Sequence, residues 1–193
     1  MLLFLSALNV WAQDDEGYAV RREAASAAAV RQLSDRDPLV RQRAAEVLAE
    51  LSAVEQQRLV EGYRLQEKNE RVRLALDWAL YRMGKRDALY GVVSHLRSDS
   101  RRPQAVAYLS QLPGPQPLIG FFERADNKLL IGLLQVMANI GDADTLEFIK
   151  PHLSSLDPKV ADAARFATRD INTRLAEPPP DTLTRPREVG KTP

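Results

Sequence analysis

One pattern returns about every 30 residues along this chain, and that repetition restricts the fold more than any other feature. Asp37-Pro-Leu-Val-Arg41 opens a copy that runs to Leu51, and Asn69-Glu-Arg-Val-Arg73 opens one that runs to Met83. Asp126 to Ile140 and Asp157 to Ile171 are two more, and a weaker copy lies between Ser98 and Leu112. Each begins with Asp, Asn or Ser, whose oxygen accepts from the free N–H groups of a helix start. Pro38 and Pro158 follow at the first helical position, where a missing N–H costs nothing. Apolar residues then recur at helical spacing; in the second copy they are Val72, Ala75, Leu76, Ala79, Leu80 and Met83. Gly84, Gly114 and Gly141 stand where left-handed helix ends are expected.

A second helix is expected before each copy, over 18–33, 54–66, 87–97, 115–124 and 143–154. Leu146, Ile149 and Leu153 share a face of the last, and Leu59, Val60, Tyr63 and Leu65 are expected to do so in the second. Neither helix of a pair covers its own apolar stripe, so stacking pairs side by side would bury a continuous core. The spacing therefore predicts an all-α chain, a right-handed α-solenoid of about five antiparallel helix pairs within residues 13–176.

Asp37-Pro-Leu-Val-Arg41, Asp157-Pro-Lys-Val160 and Ile140-Gly-Asp142 resemble the HEAT repeat, in the short form named after phycobilisome lyases. The resemblance covers about 160 residues and is weakest in the third unit. It implies a ladder of Asp–Arg pairs along the stack, carried here by Asp37, Arg41, Asn69 and Arg73. Leu130 and Ala161 replace the arginine later, so the ladder is expected to break in the C-terminal half. It also implies that the second helices line one open face. Counted from the first apolar anchor, the open positions are Gln42, Glu46 and Glu50, then Leu74, Trp78 and Arg82, then Ile131, Gln135 and Asn139, then Asp162, Phe166 and Asp170. Apolar residues at open positions are what interface anchors look like, so Leu74, Trp78, Arg82, Ile131, Gln135 and Phe166 form the candidate partner-binding set. The alternative is that Trp78 and Phe166 turn into the core.

The ends differ from the repeats. Leu2 to Val10 is an apolar run too short to span a bilayer, followed by small residues at Val10 and Ala12 and then by Asp14-Asp15-Glu16. This resembles a secretory signal peptide cut after Ala12, although no Lys or Arg precedes the run. Export to the periplasm or the medium is the expectation, with the cytoplasm as the alternative. Residues 177–193 hold five of the twelve prolines and no apolar period, and a disordered tail is expected there.

No catalytic constellation is visible. Cysteine is absent, and the two histidines, His95 and His152, fall at the ends of two different helices, where a helix-end cation is favoured. No phosphate loop, nucleophile elbow or metal motif occurs, and no metal or cofactor is expected. Lys and Arg total 27 against 26 Asp and Glu, a net charge of +1 that gives nucleic acid no basic surface. Arg21-Arg22, Arg41-Gln-Arg43, Arg71-Val-Arg73 and Arg101-Arg102 recur at similar places, but Glu46, Glu50, Glu67, Glu70 and Asp77 interleave with them, as on a solvated, salt-bridged face. A non-enzymatic scaffold for another protein or peptide is the expectation. Two alternatives stay open: an enzyme or chaperone-like subunit resembling bilin lyases, and a nucleic-acid binder like the HEAT-like-repeat DNA glycosylases.

Overall fold

The computed structural model describes the backbone of residues 5–176 and the side chains of residues 17–176. The expected signal segment, residues 1–12, and the tail, residues 177–193, lie outside the residues whose side chains are described. All regular structure among the described residues is helical. The chain divides into two compact units, Met1–Leu109 and Ser110–Pro193.

The first unit holds α1 (Leu5–Gln32), α2 (Pro38–Glu50), α3 (Gln57–Gln66), α4 (Glu70–Arg82), α5 (Ala88–Ser94) and α6 (Arg102–Leu109). Three-residue 3-10 turns lead into α3 and extend α5 through His95–Arg97. The starts follow the sequence closely. Asp37 accepts from Leu39 N–H, and Asn69 from the N–H groups of Arg71 and Val72. The ends are less regular. Only Gly84, at φ 99°, takes the left-handed conformation expected of three glycines, and Ser52, at φ 46°, takes it after α2 without being glycine. Arg22 of α1 donates to Leu51 O and Ser52 O there, a cation at a helix C-terminus.

α1 packs on α2, α2 on α4, and α4 on both α3 and α5. The buried side of α2 is Ala44, Ala45, Leu48 and Ala49, while α4 brings Leu74, Leu76, Trp78 and Leu80. A narrow helix beside a broad one is how facing positions fill space without voids. α4 is therefore buried nearly all round, and Val72 to Leu80 includes only one part-exposed residue, Arg73. α3 departs from expectation: Val60 is its one buried residue, Tyr63 is half-buried, and Leu59 and Leu65 are exposed.

The second unit holds a 3-10 helix over Gln116–Arg124, then α7 (Asn127–Ile140), α8 (Ala143–Ile149) with a 3-10 extension over Lys150–Ser154, and α9 (Pro158–Ala176). The 116–124 segment is not the α-helix its spacing predicts but winds as a 3-10 helix. Asp126 caps α7 through Leu129 N–H, Asp157 caps α9 through Lys159 N–H, and Asp142 and Thr145 exchange hydrogen bonds in a capping box on α8. α7 lies along α9, with Leu133, Leu134, Val136 and Met137 meeting a core to which α9 contributes Val160, Ala164, Ala167 and Ile171. Gly141 is extended rather than left-handed. It is small for another reason: an added Cβ would lie 2.6 Å from both Ile171 Cδ1 and Met137 O. Arg174 caps this helix end, donating to Ala138 O and to Gly141 O.

Candidate functional site

α3, α4 and α5 enclose a groove of about 290 Å³ in the first unit, lined by Glu61, Arg64 and Leu65 of α3, Asp77 and Leu80 of α4, and Lys85, Asp87, Ala88 and Gly91. Its floor carries a charge where the helix pattern calls for core. Asp77 is 4% exposed and accepts from Arg64 Nε at 2.7 Å and Nη2 at 3.3 Å. A charge so enclosed survives only when paired, and the two-pronged guanidinium supplies both bonds. The hydrogen bond to Asp77 is the main reason the Arg64 guanidinium holds its proton even more firmly than usual. α5 closes on this pair at Gly91, where no side chain stands in the way.

Across the mouth, Lys85 Nζ donates to Glu61 Oε1 at 2.7 Å, joining α3 to the turn before α5. That bond holds the Glu61 carboxyl below its usual range and the Lys85 ammonium above its own. The charged lining is thus largely neutralised from within. Leu65 stands beside it at 80% exposure. The chemistry available is an apolar contact framed by two satisfied ion pairs and the Asp87 carboxylate, which suits docking a side chain.

Of the open-face residues, Leu74 and Trp78 are not on any open face: both are buried, at 0% and 2% exposure. This corrects their assignment as interface anchors. Trp78 is stacked with Tyr81 at 5.6 Å and with Tyr108 of α6 at 5.8 Å, and the guanidinium of Arg82 lies 5.7 Å from its ring. Bulk that would project from a lone hairpin is covered here by α6. Tyr108 in turn donates to Glu46 of α2 at 2.5 Å and receives a bond from Gln104, while Gln42 also donates to Glu46. Burial, more than Glu46, pushes the Tyr108 phenol well above its usual range. In the second unit Ile131 and Gln135 are half-buried, and Phe166 is 47% exposed beneath the Arg169 guanidinium, 5.2 Å from its ring.

The ladder also takes another form. Asp37 and Asn69 spend their side chains on their own helix starts, so they do not pair with arginine. Arg41 instead reaches Glu67, with Nε and Nη2 donating at 2.7 and 3.0 Å, and Arg73 pairs with Glu70 on its own helix. Arg41 holds the Glu67 carboxyl below its usual range. In the second unit the corresponding link is neutral on one side: Asn127 donates to Asp157 at 2.8 Å.

Sequence reasoning placed Asp77 on a solvated face and passed over the groove. The available signal was a lone acid inside the apolar run Leu74 to Leu80. The histidines also part company. His95 bonds to both Gly91 O and Glu70, whereas His152 lies 6.0 Å from the Phe122 ring and burial holds its imidazole below the usual value, against a helix-end cation. Among the described residues no cluster of His, Asp and Glu is placed to hold a metal ion, and no helix is long and apolar enough to cross a membrane. No family model matches the chain, and no curated protein matches it in sequence.

Proposed function

We propose that this protein is a non-enzymatic scaffold, a HEAT-like α-solenoid of five helix pairs, that docks another protein or peptide in the α3–α4–α5 groove. The observation that carries the reading is Leu65, a large apolar side chain 80% exposed on the wall of a groove whose ion pairs are already satisfied. Placing α2 beside α4 and α7 beside α9, each separated in sequence by one intervening helix or helical pair member, supports stacked hairpins. The apolar start with Val10 and Ala12 supports export, and with it a partner in the periplasm or the medium.

The experiment is photo-crosslinking in the producing cell from position 65, with exposed position 43 on α2 as the control. Support is one partner captured from 65 and not from 43, whose purified form binds at least about tenfold more weakly to Leu65→Asp, a loss of about 1.4 kcal/mol. Equal affinity for that variant, or no position-specific product, removes the reading. Mass spectrometry of the native N-terminus tests export separately: a chain beginning at Gln13 supports it, and a retained Met1 opposes it.

A further inference from the structure

We propose that His95 is a protonation-dependent tie that holds the α5 wall of the groove against the first turn of α4. Its ring Nδ1 lies 2.8 Å from Gly91 O, and Nε2 lies 3.2 Å from Glu70 Oε2. Both partners are acceptors, one a carbonyl and the other a carboxylate. Both contacts are hydrogen bonds at once only when each nitrogen carries a hydrogen, which is the imidazolium form. A neutral ring keeps one hydrogen and turns a bare lone pair towards an oxygen, so one attractive contact becomes repulsive.

Groups of both charge signs surround the ring. The His95 side chain is 14% exposed and sits at the C-terminal end of α5, where the free carbonyls attract a cation. From α4 it meets Glu70, which also binds Arg73 at 2.9 Å. Asp77, farther along α4, is taken up by Arg64. Arg97 lies on the same turn as His95, and beside α6 stand Asp99, Arg101 and Arg102, of which Arg102 donates to Leu96 O and to Asp99. Glu70 is the acid in direct contact, and the bond from His95 is the main reason its carboxyl is held below the usual range. It is therefore ionised wherever the imidazolium is present near neutral pH.

The acceptor Gly91 is itself part of the groove wall and backs the Asp77 carboxylate. Proton loss from His95 loosens the segment against which the groove floor is set. The tie bears on the proposed docking groove but is read on the free protein, so its failure is distinguishable from failure of the docking reading.

The test is a double-mutant cycle on the full chain with His95→Gln, Glu70→Gln and both, followed by urea unfolding at about pH 5.5 and about pH 8.5. The expected coupling is about two- to fivefold in the folding equilibrium constant at the lower pH and smaller at the higher, where a neutral ring keeps only one of the two bonds. The same coupling at both values, or none at the lower one, overturns the tie. Nitrogen-15 spectra give a second reading. The Ala88 and Gly91 amide signals are expected to move with the His95 ring titration in the wild type and much less in Glu70→Gln. Signals that ignore the ring, or move equally in both proteins, count against it. His152 in the second unit serves as the internal control.

Discussion

The carboxylate of Asp77 fills the space that a side chain at position 91 would need: a Cβ added to Gly91 would lie 2.4 Å from Asp77 Oδ2 and 2.7 Å from its Cγ. Asp77 has no easy retreat, because Arg64 fixes both of its oxygens and the residue is 4% exposed. Gly91→Ala is therefore expected to lose about 1–3 kcal/mol of stability. Asp77→Ala, which strands the Arg64 cation, is expected to lose about 2–4 kcal/mol. In the Asp77→Ala background the alanine at 91 should cost much less than it does alone. Urea unfolding of the two single variants and the double variant checks this, and strict additivity would show that the two positions do not compete for space.

Trp78→Ala separates the two readings of that residue. With the ring 2% exposed between Tyr81 and Tyr108, truncation is expected to cost about 3–5 kcal/mol. A thermal melt left within a degree or two of the wild type would return Trp78 to the surface.

Leu134→Asp tests the core of the second unit in the same way. Leu134 is fully buried on α7. A loss of several kcal/mol is expected, on the order of 4 or more, enough to unfold the segment. A native circular-dichroism melt for this variant would contradict the packing of α7 on α9.

Stability should fall in acid partly through Glu67. Arg41 holds its carboxyl below the usual carboxylate range, with the Asn69 N–H adding to the effect. A depressed carboxyl contributes stability that is present above its ordinary range and is lost as the pH falls through the lowered value. Glu67→Gln is expected to cost about 1–2 kcal/mol at neutral pH. The gap between wild type and variant should close as the pH drops below the ordinary carboxylate range, read from unfolding midpoints across a pH series. A gap that persists in strong acid would mean the pair contributes through shape alone.

Tyr108→Phe removes one donor from Glu46, which keeps Gln42. The expected cost is about 0.5–1.5 kcal/mol. Because burial pushes its phenol up, Tyr108 should be the last of the described tyrosines to ionise in a spectrophotometric titration of the folded protein. An ordinary alkaline step whose amplitude is unchanged in Tyr108→Phe would agree with that order, whereas a lost step would reverse it.

The helix starts were legible in the chain itself. Asp37, Asn69, Asp126 and Asp157 sit one position before α2, α4, α7 and α9, because a short polar side chain next to a helical run has one favourable use. The apolar spacing of Val72, Ala75, Leu76, Ala79 and Leu80 named the buried side of α4 for a similarly local reason. Local rules do not reach across helices. Only packing decided that α6 covers Trp78, that Arg41 turns to Glu67 rather than along an Asp–Arg ladder, and that Asp77 faces Arg64 and Gly91 instead of water. Whether a residue on the margin of a helix stripe is core or surface depends on which neighbour arrives there. Periodicity fixes a residue's angle about its own axis, and the energy of that angle is set by what stands opposite it.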